Sequence, residues 1–579
     1  MREEFKTPQF DAAIGKILDT LVPHERACKQ CGASFQIQDG DIEFYKMFRV
    51  PPPTRCPDCR EQRRLAQRIS LRPIFYKRAC AVPGHGESIV TFYHPQSRVV
   101  VYDDKFYVSD AWDAATLGQE YDSAKGFFAQ YAAFALRVPH SSLWRDLTSV
   151  GCEYTLSGKD SKDCYYSLPL RSERVYYSMV AVDSKDCVDV SYVTDSELCY
   201  ECYGGEKLYN CNFCYYSVGC TDSGFLFDCR NCTQCFGCTN LRNKKYCFEN
   251  EQLTKEEYEK RLREMGLGKR SVVRAYSQKF FGAMRTAIHK GTDILQSINS
   301  IGDGLRNCKD CHDVFYSIGG GERMRYVYSV DIVTDTGDVF GASKSSRIYE
   351  STGIINSSDI LCCSMIRGGM GLEYSAECTD CNYCFACFGL RSKKFHIFNK
   401  PYSEEEYWRR IDDIKTRMLA AGEYGEFFPI AASEIPYNDS NAMLDYPLTK
   451  DEVQARGWKW YDAPTSDIDL AKANAIAAAD VPDDIADVSD DILARPVVCE
   501  KTGKPFRITA FELAFYRKKR IPLPTIHPLE RVEARYAIRR PWRLHDDTCR
   551  KCGKPIKSVF PPEEKYNVYC ESCYNNEVI

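Results

Sequence analysis

The chain has 579 residues, with 77 Lys+Arg against 81 Asp+Glu, 31 Cys, 38 Tyr and 9 His, for a net charge of −4. That length suits about four domains of roughly 150 residues, no run of about 18 apolar residues offers a helical membrane span, and the start MREEFKTPQFDAAIGKIL lacks the basic-then-apolar pattern of an export signal. Cysteine in this number without an export signal points to thiols and metal rather than disulfides, and so to a soluble protein of the reducing cytoplasm.

The charge is divided. Residues 26–78 carry twelve Lys/Arg against five Asp/Glu and residues 495–579 eighteen against ten, so +7 and +8 stand at the ends and −19 remains elsewhere. Basic ends around an acidic middle predict polyanion contact at the ends.

In chain order, Cys28-x-x-Cys31 and Cys56-x-x-Cys59 come first, within residues 1–70. Two such knuckles offer four thiolates, the set that a tetrahedral structural zinc takes. A redox Cys-x-x-Cys is the weaker reading. Phe35 and Ile37 alternate as in a short strand, Asp41–Phe48 has helical character, and Pro51–Pro53 force an extended return. The pattern Cys28-x-x-Cys31-Gly32-x-x-Phe35, Glu43-Phe44-Tyr45, prolines and Cys56-Pro57-x-Cys59-Arg60 resembles a bacterial zinc-ribbon family. That resemblance covers about forty residues and implies a zinc-binding fold without an activity.

A shift of 471 positions lays Cys499, Gly503, Phe506, Phe515, Tyr516, Pro522, Pro524, Arg531 and Arg535 onto Cys28, Gly32, Phe35, Phe44, Tyr45, Pro51, Pro53, Arg60 and Arg64. Residues 495–545 are thus a second copy whose metal site is degenerate: Thr502, His527 and Glu530 replace three cysteines, leaving Cys499 and His527 for at most a weak site. Directly after it, Cys549, Cys552, Cys570 and Cys573 make another four-cysteine site in residues 546–579. Its degenerate partner is residues 71–112, where Pro83, Asp103 and Phe106 stand for cysteines. Each end therefore carries one two-module unit, with the metal kept in the first module of one and the second of the other.

Residues 113–150 contain a packing helix with Phe127, Tyr131, Phe134 and Ala135 on one face. The middle is a repeat. Aromatic or β-branched runs recur about every twelve residues through 151–265 and 300–422, which predicts a duplicated β-solenoid with a full turn of about two dozen residues; a β-sandwich is the alternative. Both sets end alike: Cys229, Cys232, Cys235 and Cys238 recur 149 positions later as Cys378, Cys381, Cys384 and Cys387. Thr254-x-x-Glu257 and Ser403-x-x-Glu406 then open helices and Gly266 and Gly422 close them. A helix in 266–299 presents Val273, Tyr276, Phe280, Met284 and Ile288. Residues 423–494, Ala- and Asp-rich from 466 on, read as an acidic linker. The fold class is multidomain and mostly β, with zinc-ribbon modules at both ends. This order resembles Cys- and Tyr-rich multidomain zinc-ribbon proteins of environmental bacteria, a resemblance that covers most of the chain and brings no function.

Two zinc ions held wholly by protein leave no open position for catalysis. The cysteine runs invite an iron-sulfur reading, but ferredoxin runs space their last cysteine by three and follow it with proline, and cysteine is also a good small core residue. Arg60, Arg64 and Arg68, with Arg63 beside them, and Arg531, Arg535 and Arg539, with Arg540 and Arg543 following, have helical spacing suited to successive phosphates. They predict nucleic-acid binding, RNA or a ribonucleoprotein before DNA. The alternative is a protein–protein scaffold with structural zinc. A solenoid enzyme ranks third: no Gly-rich phosphate loop, His-Glu-x-x-His or nucleophile elbow occurs, and Asp163, Asp186, Asp222 and Asp335 suit turns.

Overall fold

The computed structural model describes residues 6–317, 319–463 and 473–579. Its two ends are built alike. The hairpin His24–Ala27 with Ser34–Ile37 leads into helices Asp39–Phe48 and Pro57–Leu65; Val497–Val498 with Pro505–Phe506 leads into Ala510–Lys519 and Pro528–Tyr536. All four helix bounds shift by the 471 positions that align the sequences. Each first helix stops at an arginine in the left-handed region, Arg49 (φ 54°) and Arg520 (φ 52°). Each second helix opens with proline, whose missing N–H would have had no helical partner there. A further hairpin follows in each copy, Tyr76–Ala79 with Ser88–Thr91 and His545–Thr548 with Pro555–Ser558.

Between the ends run two ladders of parallel pairings. In the first, Val188 pairs with Tyr200, Tyr200 with Asn212, Asn212 with Gly224, Gly224 with Phe236 and Phe236 with Phe248. In the second, Ser346, Ser358, Met370, Asn382 and Lys394 pair in succession. Partners are twelve residues apart, so the expected vertical repeat of about two dozen is corrected to half that. The backbone supplies the reason. From Leu198 to Glu249 every third residue has positive φ, and a chain that turns every three residues returns above itself sooner than one with long strands. A non-glycine residue in this region costs roughly 1–2 kcal/mol, less for Asn and Asp, which explains the Asp, Asn and Gly punctuation. The residues after these turns, such as Cys199, Cys202, Cys211, Cys214 and Leu226, are fully buried in one core cluster. That cluster is filled mostly by small side chains, cysteine above all.

Each ladder ends in an antiparallel turn, Cys247–Phe248 with Glu251–Gln252 and Lys394–Ile397 with Lys400–Pro401. Helix Lys255–Met265 follows the first behind a reciprocal Thr254/Glu257 cap, and Glu404–Ala420 follows the second, with the Ser403 side chain accepting from Glu406 N–H. The helix preceding each ladder is Phe127–Ala135 or Arg270–Thr286; Phe127, Tyr131 and Phe134 of the first and Val273, Tyr276, Phe280 and Met284 of the second are buried, while Ala135 is half-buried; Ile288 instead begins the strand Ile288–Lys290.

The ends dock crosswise. Helix Phe127–Ala135 precedes the first ladder but packs on the second, with Phe127 5.0 Å from Tyr374 and 5.7 Å from Phe385. Helix Arg270–Thr286 precedes the second and packs on the first, with Tyr276 4.8 Å from Phe225 and 4.9 Å from Phe236. The terminal modules do the same: Tyr45 meets Tyr349 at 6.4 Å and Tyr516 meets Tyr200 at 5.7 Å. The acidic linker reading is corrected where the chain is described. Residues 464–472 lie outside the described residues, but Val481, Ile485, Val488 and Ile492 are buried and Asp483 accepts hydrogen bonds from Ser271. An apolar residue every third or fourth position outweighs the Ala/Asp composition.

Candidate metal centres and the arginine helices

Two four-cysteine groups form, Cys28/Cys31/Cys56/Cys59 and Cys549/Cys552/Cys570/Cys573, each with all four sulfurs within 4.8 Å of one another. The first knuckle of each is a turn in which Gly32 or Gly553 N–H donates to the Cys28 or Cys549 carbonyl at 2.9 Å. The glycines have φ 76° and 72°, a conformation that strains any residue with a Cβ. The second knuckle opens a helix, with Cys56 and Cys570 as N-caps. Thiols at such ends ionise readily, because free N–H groups and the helix dipole favour the anion. Cys570 is lowered to about 6 by the Ser572 hydroxyl and the Cys573 N–H. Cys56 is lowered to about 5 by hydrogen bonds from the Cys59 thiol and backbone, against the effect of burial. Cys31–Cys56 and Cys552–Cys570 sulfurs are each 3.8 Å apart, close to the edge of a tetrahedron of sulfurs about 2.3 Å from a central zinc. The donor set fits one structural metal ion per site.

The degenerate copies replace the metal with ordinary contacts. Where an ion would join knuckle to helix, Lys501 bridges Glu530 at 2.7 Å and His527 N–H donates to the Cys499 sulfur at 3.2 Å. His527 Nδ1 accepts the Leu529 N–H, so that nitrogen is occupied as a helix cap. In the other copy, Asp103 N–H donates to the Cys80 sulfur, and the Asp103 carboxylate caps a short helix at Lys105 and Phe106.

Of the nine arginines expected to meet phosphate, all but Arg543 are turned inward and engaged within the chain. Arg60 and Arg64 reach Asp338 at 3.1 and 3.2 Å, and Arg63 bridges Glu350 and Glu426, each at 2.7 Å. These three arginines are each 1% exposed. Arg68 has no acidic partner among the described residues; it donates to the Phe340 carbonyl and lies over that ring, and burial lowers it to about 10. In the second copy Arg531 and Arg535 share Asp189, and Arg535 also reaches Glu201 at 3.3 Å. Arg539 pairs with Asp445 and stacks on Trp542, and Arg540 pairs with Asp303 at 2.8 Å. Arg543 alone of the nine is exposed, and it bridges Asp58 at 2.7 Å. Burial would raise Glu426, but Arg63, the Thr54 hydroxyl and Arg55 outweigh it and hold the carboxyl at about 2. Burial pushes Glu201 up to about 7 despite Arg535.

The acidic partners were missed, although a signal existed: the 149-residue offset lays Asp338 onto Asp189 and Glu350 onto Glu201. The same offset gives Tyr326 over Arg60 and Tyr177 over Arg531.

The eight run cysteines, Cys229 to Cys238 and Cys378 to Cys387, are fully buried and belong to the ladder cores. Their thiols donate to the carbonyl two residues back, as Cys229 to Phe227 at 3.5 Å and Cys378 to Ala376 at 3.4 Å. Spacing by three is the ladder's inward period. Among the described residues, groups of three or more sulfurs all mutually within 4.8 Å occur only at the two four-cysteine sites. Among the described residues no helix is long and apolar enough to cross a membrane. Compared with known proteins, the chain matches no family model, no curated sequence and no solved structure.

Proposed function

We propose that the chain is a non-catalytic, metal-stabilised scaffold: zinc ribbons, two of them metal-bearing, clamp the sides of two β-solenoids whose remaining faces dock protein partners. The observation that carries this reading is the internal pairing of the arginine helices. A guanidinium 1% exposed between two carboxylates cannot meet a phosphate without breaking a buried ion pair, which costs about 3–5 kcal/mol. The arginines therefore join module to solenoid, and zinc stiffens the amino-terminal module that carries Arg60, Arg63 and Arg64.

The test is binding of metal-loaded protein to mixed RNA and DNA oligonucleotides across a salt series. The scaffold reading expects no affinity that falls steeply with salt. A steep slope would signal release of several counterions and would return the nucleic-acid reading through other surface cations. Crosslinking in cells then reads the partner surface: discrete proteins linked to the solenoid faces support the scaffold.

A further inference from the structure

The two halves of the molecule also differ in the helix that flanks the first module. In the half built on the second ladder, Arg49 ends its helix beside Phe10 and pairs with Asp11, both on helix Pro8–Leu18, whose first N–H groups are held by Asp412. The 471 offset puts Arg520 where Arg49 is and Pro482 where Asp11 is, and the 149 offset puts Arg263 where Asp412 is. The long helix is replaced there by short turns at Ala478–Asp480 and Ile485–Asp487.

What this leaves is a cavity of about 250 Å³ between the first ladder, helix Lys255–Met265 and the end of helix Ala510–Lys519. Phe213, Phe225, Phe236 and Tyr258 give it aromatic lining, and Leu262 and Ile521 add apolar wall. Asn212 lines it with one end of its carboxamide buried and without a hydrogen-bond partner, an unmet cost of about 1–3 kcal/mol unless something enters. Lys518 and Arg520 line it too; both are exposed and neither has an ion pair among the described residues. Lys519 is already engaged by the Leu198 carbonyl and Asn210, and Asp222 by Asn210.

We propose that this cavity binds a nucleoside monophosphate, its base against the aromatic side chains and hydrogen-bonded to Asn212, its phosphate held at the rim by Arg520 and Lys518. The chemistry asks for all three features together. An aromatic lining selects a flat ring, a lone buried amide selects a ring with a hydrogen-bonding edge, and two free cations select an anion. The source is a free mononucleotide or the phosphorylated end of an RNA, and the test separates them.

The experiment is calorimetric titration of the full metal-loaded chain with AMP, GMP, CMP and UMP, and in parallel with adenosine, inorganic phosphate and the 5′-phosphorylated trinucleotide pApUpU. Saturable binding of at least one mononucleotide is expected, with phosphate alone much weaker. Arg520→Ala should weaken nucleotide about tenfold, as loss of one charge-assisted contact does, while leaving adenosine unchanged; Asn212→Ala should weaken both. Arg520 is exposed, so its variant should keep the native melting temperature. Tighter binding of the trinucleotide than of AMP, lost in the same variants, makes an RNA end the source at the same site. Absence of saturable binding at millimolar nucleotide, phosphate binding as tightly as nucleotide, or an unchanged affinity in Arg520→Ala overturns the proposal. A salt-steep affinity for long oligonucleotides would overturn the scaffold reading instead and would leave this site standing.

Discussion

Asp189 and Asp338 stand 149 positions apart, and each takes two arginines from the terminal module at the opposite end of the repeat: Arg531 and Arg535 on Asp189, Arg60 and Arg64 on Asp338. Both carboxylates are nearly inaccessible, at 0% and 2%. Removing one leaves two buried guanidiniums short of an acid. Asp338→Asn and Asp189→Asn should each destabilise the protein by about 3–5 kcal/mol, the usual cost of breaking a buried pair from one side. Urea unfolding checks it; a loss below about 1 kcal/mol would place these pairs with surface ion pairs and remove the clamp.

Elemental analysis should find two metal ions per chain, one in Cys59→Ser, and still two in Cys229→Ser, whose thiol donates to main-chain carbonyls and lies outside both four-cysteine groups. A structural zinc contributes on the order of 10 kcal/mol to its module, so Cys59→Ser should also release the arginine helix from the second ladder.

Thiol reactivity should divide the cysteines in the same way. Cys31 and Cys552 are exposed and Cys570 and Cys573 partly so, whereas the ladder cysteines are buried. Alkylation read by mass spectrometry should label the four-cysteine sites once a chelator removes the metal, and the ladder only in denaturant. Labelling of Cys211 or Cys214 in the folded protein would mean that the ladder opens.

How far the sequence carried these conclusions depends on distance along the chain. The module duplication was legible because the 471 offset preserves prolines, aromatics and the arginine spacing, and the structure keeps the bounds of the two helices after each first hairpin. The ladder step was misjudged because the determining feature, a positive φ at every third residue, is adopted by residues as unlike as Leu198, Phe213 and Asp222. The pairing of the arginines was not legible because the acids that neutralise them lie far away, 278 positions for Arg60 and Asp338. Local charge counts cannot see such partners. The cysteine runs were ambiguous for a related reason: a spacing of three serves a metal knuckle and an inward ladder period equally.

One half-buried acid gives the molecule a pH dependence. Glu377 accepts the Tyr107 hydroxyl at 3.2 Å, and burial raises it to about 7 against the pull of Arg367, the Tyr107 hydroxyl and the Ser141 N–H. A carboxyl raised on folding binds its proton more tightly when folded. Its stabilisation is full below the unfolded value near 4.5 and is lost as pH rises to about 7. Glu377→Gln cannot titrate, so the stability difference between it and the native chain should change by about 2 kcal/mol between pH 5 and pH 8, native losing ground. A constant difference across that range would show that Glu377 ionises as it does unfolded.

Crosswise docking predicts which ladder each end protects. In a chain ending at residue 463 the carboxyl-terminal modules are gone, and with them Tyr516 from Tyr200 and both arginines from Asp189. The amino-terminal modules still cover Tyr349 and Asp338. The Val188 and Asp189 amides, bonded to the Cys199 and Tyr176 carbonyls, should exchange with solvent at least about tenfold faster, because local opening no longer has to break the interface. The Asp338 amide, bonded to the Arg325 carbonyl, should keep its protection. Faster exchange confined to the second ladder would invert the docking, and equal loss on both would mean that the two halves fold as one cooperative unit with no separate clamps.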